Sequence, residues 1–497
     1  MTAAALAAAV IVVVAVAAAI TFGERGRSTR TEWPLPNANL SGTRSVAGSP
    51  INASNVGTLR PAWRFRLAGY QTPSGVFAST PIAVDRRVYI QDLDSNVFAL
   101  DAATGRLVWR TRVRQVSGGP NGLAAGGGRI YGNSSRSAFA LDEATGKVIW
   151  RRTLVRGSNQ AVDIAPQVAN GLVYTSTVGL LPGGKGVLYA LDAATGAVRW
   201  RFDTIVGDWA VPGKAAGGGA WWPASVGTNG TVYVGTANPV PWGGTPALPN
   251  GAAYRGRALY TDSLLALDGP TGSLEWYRQA TPHDVRDYDF SASPILAEQE
   301  IRGARRSVVY GAGKAGVVYA LDATTGDVYW KRPVGVHRND VGPLPPQKVP
   351  VCPGLYGGVE TPMAYRDGRL FVPVVDLCMR GSATGYEPLQ NVDIATRGRG
   401  ELTALDGATG RPVWTRRFPV PVFACATVAN DVVFTATLDG HVYGLATSDG
   451  RTLWQATMHA AVNACPAVAG DQLLVGAGAD FSTLANERYE LVAFRLP

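Results

Sequence analysis

The sequence is poor in the residues that most metal and redox motifs need. Its 497 residues include only four histidines and four cysteines. The histidines are dispersed, at positions 283, 337, 441 and 459, which disfavours a three-histidine metal site. There is no C-x-x-C or C-x-x-C-H, so zinc ribbons, thioredoxin-type motifs and c-type haem attachment are excluded, and we expect no haem. Neither the G-x-S-x-G of serine hydrolases nor a Walker A loop occurs.

Charge is also scarce and is not concentrated anywhere. Charged residues make up 17% of the chain, and the net charge of +9 comes from basic residues that never form a dense run. A scattered excess of this kind is typical of a solvated surface, so we expect no nucleic-acid partner. Hydrophobic residues reach 46%, with 60 glycines and 32 prolines, which favours a turn-rich, strand-rich protein over a helical one.

One long apolar run is present, AAALAAAVIVVVAVAAAITF at residues 3–22. It is long enough to cross a bilayer as a helix, and a cleaved signal peptide is the competing interpretation. Arginines follow the run and none precedes it, which taken literally favours a cytoplasmic body, although a start codon assigned too far downstream would bias that comparison. We predict a membrane anchor or signal segment at residues 1–30. Residues 31–497 are then an extracytoplasmic body, membrane-anchored or, after cleavage, secreted.

The rest of the chain is a repeat. The unit is ALDAATGRLVW at residues 99–109, and it recurs at residues 140–150, 190–200, 266–276, 320–330, 404–414 and, more weakly, 444–454. A period of roughly 40–50 residues predicts a solenoid or a propeller. The alternation Val-Tyr-Ala-Leu indicates strands, and Asp-x-x-Thr-Gly is typical of a hairpin turn in which Asp and Thr cap and Gly takes a positive φ. The Trp is large enough to wedge between adjacent sheets, with its indole N–H on a neighbour's backbone.

These features predict an all-β protein with the architecture of a β-propeller, since no helix-length amphipathic segment intervenes. Trp63 has no repeat upstream, and the strands within residues 462–495 have no Trp downstream, so joining the two ends completes one more blade. We therefore predict eight blades, with seven as the alternative. Long insertions separate Gly196 from Gly272 and Gly326 from Gly410, and long loops on a rigid scaffold are where function is usually found.

The four cysteines could form two disulfides. Cys425 and Cys465 share a register in successive repeats, and a bridge between them would close a loop of about 41 residues, worth roughly 4 kcal/mol. Cys352 and Cys378 lie in or beside one insertion and could also pair. Such pairing agrees with export from the cytoplasm.

Residues 311–316 read GAGKAG, a literal G-x-G-x-x-G. A dinucleotide fingerprint needs its glycines between a strand and a helix that holds the pyrophosphate. Here they lead into VVYALDATTG, a strand followed by the repeat's turn, so we reject binding of a nicotinamide dinucleotide.

The A-L-D-x-x-T-G-x-x-x-W unit resembles the signature of the quinoprotein alcohol dehydrogenase-like propellers. The resemblance covers about residues 31–495 and extends to further segments in family order: EWPLPNANLSGTRSVAGSPINASNVGTLRPAW, VYVGTANPVPWGG, LYTDSLLALDGPTGSLEWYRQATPHDVRDYD and YGGVETPMAYRDGRLFVPV. It implies pyrroloquinoline quinone (PQQ) lying flat against a Trp, a Ca²⁺ that polarises the quinone, an Asp base and an alcohol or polyol substrate.

Three positions match the residues that this family uses around its cofactor. By resemblance, Asn238 in GTANP is the Asn metal ligand, Trp222 or its neighbour Trp221 is the floor of the quinone, and Lys314 in GAGKAG is the Lys that bonds the quinone oxygens. The predicted cofactor site therefore contains these four residues.

Other positions depart from the family. Leu181, within a residue, stands where the family has a Glu metal ligand, and Arg257, in YRGRALYT, stands in place of the catalytic Asp. The family's vicinal cysteine pair is absent from VSGGPNGLAAGGG at residues 116–128. An Arg within ~4 Å of Ca²⁺ would cost on the order of 8 kcal/mol at an effective dielectric near 20, so calcium would need compensation.

Compensating carboxylates and a different role for Arg257 are both conceivable. The acidic candidates are more simply interpreted as turn caps; they are Asp262, Asp284, Asp287 and Asp289. Arg257 could instead pair with a carboxylate of the quinone or with another anionic ligand, and it is therefore a candidate cofactor contact.

Two functional hypotheses follow. The first is a membrane-anchored PQQ-dependent alcohol or polyol dehydrogenase with an altered pocket. The second is a non-catalytic propeller that binds a protein or envelope ligand, as the outer-membrane assembly lipoprotein of this superfamily does, since the fold alone supports both.

Overall fold

The computed structural model describes residues 32–69, 72, 75–207, 209–210, 213–252, 254, 256–290, 292–480 and 487–497. The predicted anchor at residues 1–30 lies outside these described residues. Within them, no helix is both long and apolar enough to cross a membrane.

Strands dominate the described part of the chain and form eight antiparallel sheets of four strands, numbered here in chain order. The first four sheets have these strands: sheet 1, Ile82–Val84, Arg87–Gln91, Val97–Asp101 and Leu107–Thr111; sheet 2, Leu123–Gly126, Arg129–Ser134, Ser137–Asp142 and Val148–Thr153; sheet 3, Gln167–Ala169, Leu172–Gly179, Val187–Asp192 and Val198–Asp203; sheet 4, Ser225–Val226, Val232–Gly235, Ser263–Leu267 and Leu274–Gln279.

The second half of the chain repeats the same arrangement. Its strands are: sheet 5, Ile295–Ile301, Ala304–Gly311, Val317–Asp322 and Val328–Pro333; sheet 6, Ala364–Arg366, Arg369–Asp376, Arg399–Asp406 and Pro412–Phe418; sheet 7, Thr427–Ala429, Val432–Ala436, His441–Ala446 and Thr452–Thr457; sheet 8, Ala467–Ala469, Gln472–Ala477, Glu490–Arg495 and Arg60–Arg66.

Shorter elements decorate the sheets. They are Gln160–Ala161 on sheet 3, Ser45–Val46 on sheet 7, the pair Ala216–Gly217 and Pro239–Val240, the trio Val349–Val351, Met379–Ser382 and Gly385–Tyr386, the 3₁₀ turns Val56–Thr58 and Pro249–Gly251, and the α-helix Asn391–Arg397. The prediction of an all-β, propeller-like fold is confirmed.

The two ends of the chain share one sheet, as Trp63 predicted. The strand Arg60–Arg66 pairs antiparallel with Glu490–Arg495 and completes sheet 8, and Ser45–Val46 pairs in parallel with Thr427–Ala429 of sheet 7. This closure ties the N-terminal segment to the last repeats.

A buried Arg fixes the N-terminal segment further. Arg44 is fully buried and donates to the backbone oxygens of Pro36, Ala426 and Pro466 and to the hydroxyl of Thr427. Burial lowers the pKa of Arg44 to about 9. Its hydrogen bonds reach the segments leading into sheets 7 and 8, so one side chain joins three parts of the chain.

The repeat's turn has the chemistry that its sequence predicts. Asp101 Oδ1 accepts from the backbone N–H and the hydroxyl of Thr104, at 2.9 and 2.7 Å, and Gly105 has φ +69°. The hydrogen bond from the Thr104 hydroxyl lowers the pKa of Asp101 below its usual value. The cap is therefore a local device of the six repeats that have Asp at this position, whereas the last repeat has Ala446 there.

The repeat's tryptophans join successive sheets. Each indole N–H donates to a backbone carbonyl of the next unit: Trp63 to Ala102, Trp109 to Glu143, Trp150 to Ala193, Trp200 to Gly269, Trp276 to Ala323, Trp330 to Gly407, Trp414 to Thr447 and Trp454 to Leu59. The turn glycine makes room for the ring, since a Cβ on Gly105 would lie 2.5 Å from the Trp63 indole. The predicted wedge between sheets is confirmed.

Both cysteine pairs form disulfides, Cys352–Cys378 and Cys425–Cys465. The second bridge joins the segments that lead into sheets 7 and 8. The first closes part of the insertion between sheets 5 and 6. Both bridges lie close in sequence to residues of the cavity described next.

Candidate functional site

One cavity, of about 460 Å³, lies where the segments leading into the first strands of the sheets converge. In seven sheets its lining includes the residue four positions before the first strand: Ala78, Gly119, Asp163, Trp221, Glu360, Phe423 and Asn463. The equivalent residue of sheet 5 lies outside the described residues, and the segment leading into that sheet contributes Asp287 and Asp289. The repeat therefore brings one position of each unit to a common site.

A buried ion triad lies in the cavity wall. The Lys314 ammonium is 2.6 Å from Asp287 Oδ2 and 2.6 Å from Asp289 Oδ2, and the Lys314 N–H donates to the Asp289 carbonyl. Burial alone would lower the pKa of Lys314, but the two carboxylates outweigh it, so the pKa lies well above its usual value. Burial raises the pKa of Asp287, and the charge of Lys314 opposes that rise. Lys314 thus stays a cation that holds two carboxylates together.

A third carboxyl group faces the same space in a different state. Burial raises the pKa of Glu360 to about 8, with Lys314 opposing, so this side chain is mostly protonated at neutral pH. Its Oε1 is buried with no hydrogen-bond partner in the described structure, while its backbone carbonyl accepts from Trp222 Nε1 at 2.9 Å. The cavity therefore contains both ionised and neutral acids.

The predicted site residues separate into two groups. Asn238, Trp221, Trp222 and Lys314 all line the cavity, so the structure brings these four together. The Asn238 backbone N–H donates to Asp289 Oδ1 at 2.7 Å, and its side-chain amide donates to the Pro239 carbonyl at 3.1 Å. Their role in cofactor binding stays a prediction.

Arg257 lies outside the described lining of the cavity, and its role as a cofactor contact stays a prediction. Its side chain is exposed, its Nε donates to Gln279 Oε1 at 3.0 Å, and its guanidinium lies 5.9 Å from the centre of the Tyr277 ring. Arg257 is absent from the described lining of the cavity, because its segment belongs to an insertion that turns toward the last strand of sheet 4. Leu180, the neighbour of Leu181, lines the cavity.

The turn-cap interpretation of the acidic cluster is correct for only one of its residues. Asp284 accepts from the backbone N–H groups of Arg286 and Tyr288, both at 2.7 Å. Asp287 and Asp289 instead face the cavity and bind Lys314. HDVRDYD therefore contains one carboxylate that caps a turn and two that face the cavity.

Sequence analysis alone does not predict four residues of the cavity wall: Asp163, Glu360, Phe423 and Asn463. The signal that could have found them is the register of the repeat, because each lies four residues before the first strand of its sheet. Comparing this position in all the repeats would have identified these wall residues from the sequence alone.

The cavity has room for a small ligand that carries both apolar and polar groups. Its volume falls within the range of roughly 300–1,000 Å³ usual for small-molecule sites, and two indoles lie in its wall. Four wall groups have buried polar atoms without a partner in the described structure: Trp221 Nε1, Glu360 Oε1, Thr361 Oγ1 and Asn463 Oδ1. Buried polar atoms are normally hydrogen-bonded, so a ligand that pairs with them is favoured.

A metal ion fits the same wall poorly. Calcium takes six to eight oxygen ligands, whereas the two carboxylates of the triad already bind Lys314 and the Leu180 side chain has no ligand atom. Among the described residues, no group of three or more His, Cys, Asp or Glu side chains could hold a metal ion.

Comparison with known proteins agrees with this geometry. Residues 33–128 and 159–335, together more than half of the chain, match the family model for the glucose/ethanol/alcohol dehydrogenase β-propeller domain. Residues 314–495 also match the model for outer membrane protein assembly factor BamB.

Related sequences include two quinohemoprotein alcohol dehydrogenases. That of Comamonas testosteroni is 29% identical, with 86% of this chain and 69% of the relative aligned. ADH-IIG of Pseudomonas putida is also 29% identical, over 88% of this chain and 71% of the relative.

Solved structures place the fold in the same group. ADHIIG of Pseudomonas putida HK5 superposes with a TM-score of 0.81 at 24% identity, covering 94% of this chain and 80% of that one. A europium-containing methanol dehydrogenase gives 0.79 at 20% identity over 95% and 99% of the two chains. BamB from Moraxella catarrhalis gives only 0.53 at 13% identity, over 88% and 99%.

Proposed function

Because the chain belongs to the glucose/ethanol/alcohol dehydrogenase family of β-propeller domains, we propose that it is a quinone-dependent dehydrogenase that oxidises a small alcohol or polyol. The observation that carries this proposal is the cavity, which places Asp287 and Lys314 in one wall with Trp221 and Trp222. The relatives named as alcohol dehydrogenases favour this function over the non-catalytic scaffold.

When bound, PQQ would supply the electron acceptor for alcohol oxidation. The indoles of Trp221 and Trp222 would hold its flat ring and exclude water. The unpartnered atoms of Thr361 and Asn463 would pair with polar groups on the cofactor or substrate.

Asp287 is the side chain that we assign as general base. It lies in the cavity wall, and a carboxylate is the group that can take the proton of an alcohol hydroxyl. Lys314, at 2.6 Å, favours its ionised form against the effect of burial. The pKa of Asp287 is therefore raised toward the operating pH of a base without leaving the side chain protonated at neutral pH.

The test is dye-linked alcohol oxidation by the full chain loaded with PQQ, in a chelator and with added Ca²⁺. Asp287→Asn should lower the rate by roughly 10²–10⁴-fold, because the base is removed while the shape is kept. Asp163→Asn is the matched control: that carboxylate lines the same cavity but accepts from Ser117 and Gly118, so we expect a much smaller loss. Wild-type protein that neither binds PQQ nor oxidises an alcohol would contradict the proposal and leave the scaffold function.

We also propose that the eight sheets are the blades of one eight-bladed propeller formed by residues 31–497. The support is the complete set of tryptophan contacts, which ends with Trp454 donating to Leu59 beside the strand Arg60–Arg66. Anchoring by residues 1–30 and an extracytoplasmic location are supported by the apolar run and by the two disulfides, which persist in oxidising compartments. Membrane fractionation of the native protein, with and without residues 1–30, tests the anchor.

Both of these relatives are named quinohemoproteins, that is, proteins with a haem. In this chain, the prediction that no haem is bound rests on the lack of C-x-x-C-H and stays a prediction. The absorbance of the purified protein between roughly 400 and 560 nm would decide the matter, since a bound haem absorbs strongly there.

A further inference from the structure

The two carboxylates that could attract a metal ion to the cavity are already committed. Asp287 Oδ2 and Asp289 Oδ2 each lie 2.6 Å from Lys314 Nζ, and Asp289 Oδ1 accepts from the Asn238 backbone N–H at 2.7 Å. Three of the four carboxylate oxygens of this pair therefore have a donor from the protein. A calcium ion would have to displace the ammonium or share its ligands at close range.

The remaining wall does not make up for this. Leu180 and the glycines at 118 and 119 line the cavity without a side-chain oxygen. The Asn238 and Asn463 amide oxygens in the wall carry no charge, and Asp163 Oδ1 already accepts from Ser117 and Gly118. Ionising Glu360 to bind a cation would cost free energy, because burial raises its pKa to about 8. The described wall thus combines one firmly held cation with too few free anionic oxygens for a second.

We propose that the cavity binds its quinone cofactor without a metal ion, and that the Lys314 ammonium, held between Asp287 and Asp289, takes the place of the metal beside the cofactor's oxygens. This inference rests on the proposed function, since it concerns how the same cofactor is held. An ammonium has three N–H donors, and the two carboxylates use two of them. The third is available for a quinone or carboxylate oxygen.

The charges of the triad also disfavour a divalent cation. Two carboxylates and one ammonium leave one net negative charge in this part of the wall, which a divalent cation would overcompensate. A compact, strongly hydrated point charge on a flexible stem, which Lys provides, is the protein group closest to a small metal ion. Lys314 is in addition fixed by its backbone hydrogen bond to Asp289.

Binding of PQQ to the full-length protein tests the inference without any turnover. Quenching of tryptophan fluorescence is measured in excess chelator, in Ca²⁺ and in La³⁺, after elemental analysis of the purified protein. We expect substoichiometric metal and the same dissociation constant in the three solutions within about twofold. Binding at least about tenfold tighter with either metal would overturn the metal-free site while leaving the dehydrogenase proposal intact. No binding in any solution would overturn both.

Two variants test the part played by Lys314. Lys314→Met should weaken PQQ binding in chelator by at least about tenfold, because the cation is removed. Lys331→Met is the matched control, since Lys331 is exposed on the last strand of the same sheet, and it should bind as the wild type does. Binding by Lys314→Met that equals the wild type would overturn the assignment. The chelator comparison on wild-type protein still decides the metal question if Lys314→Met does not fold.

Discussion

Two parts of each repeat differ in how far their residues vary. We call the hairpin turn Asp-x-x-Thr-Gly with the following Trp the turn face, and the segment that leads into the first strand the cavity face. On the turn face, Asp, Thr, Gly and Trp recur and perform the same task in successive units: a cap, a positive φ and an indole on the neighbouring carbonyl. On the cavity face, the position four residues before the first strand holds a different side chain in each of the seven described cases.

The difference separates what stabilises the fold from what gives it chemistry. Contacts that join one unit to the next must fit every junction, so they are repeated. A site formed where all units meet needs each wall residue only once, so those positions are free to differ. In a repeat protein, functional residues can therefore be sought at positions whose residue differs from unit to unit although the neighbouring structural positions recur.

Removing one indole should have the largest effect on stability. Trp276 is buried and donates to the Ala323 carbonyl at 3.0 Å. Trp276→Ala should lower the free energy of unfolding by about 3–5 kcal/mol, through the cavity left behind and the lost hydrogen bond. Urea denaturation provides the measurement.

Trp276→Phe is the control for that variant, because it keeps a ring but not the N–H, and it should cost only about 1–2 kcal/mol. A loss under 1 kcal/mol for Trp276→Ala, read against the roughly 3 kcal/mol lower bound for such truncations, would mean that the tryptophans do not hold the sheets together.

Replacing a turn glycine should have a smaller effect on stability than removing an indole. Two glycines allow the cost of the backbone conformation to be distinguished from the cost of a close contact. Gly326 has φ +73°, and an added Cβ would lie 2.5 Å from the Trp276 ring. Gly127 has φ +61° with no heavy atom within 4 Å of an added Cβ. Gly127→Ala should cost about 1 kcal/mol for the left-handed backbone alone, whereas Gly326→Ala should cost about 2–3 kcal/mol, measured in the same denaturation series. Equal losses would show that the indole moves aside freely.

The turn face could be predicted from the sequence almost completely. Asp-x-x-Thr-Gly and the Trp act within one repeat or across one junction, so local chemistry and spacing suffice. Trp63, with no repeat upstream, even predicted that the chain ends share a sheet. The local sequence does not determine the direction in which an insertion turns. For this reason the sequence predicts Arg257 beside the cofactor, whereas in the structure it contacts Gln279 and Tyr277.

The cavity was predictable only in part, for a related reason. Lys314 was found by resemblance, but its partner Asp287 lies 27 residues earlier, in a segment where Asp284 is a turn cap. Nothing in HDVRDYD itself distinguishes a capping Asp from one that faces a distant ammonium. The pairing is set by the sheet between them, and it becomes visible only when the segments leading into all the sheets are compared together.

The smallest effect that we predict is a pH-dependent one on the cavity face. The pKa of Glu360 is raised to about 8 by burial, while an unfolded Glu titrates near about 4.3. Between these values the folded state retains a proton that the unfolded state has lost, so the group's contribution to stability falls as pH rises through this window. Glu360→Gln cannot ionise, and its free energy of unfolding relative to wild type should therefore increase by about 1 kcal/mol from pH 5 to pH 6. The control is Glu298→Gln, at an exposed site on sheet 5, whose curve should run parallel to that of wild type. If the Glu360→Gln curve were parallel as well, the carboxyl would be solvated and the cavity face would carry no electrostatic cost. A rising difference would show that keeping a neutral acid beside Lys314 lowers the stability of the protein as the pH rises.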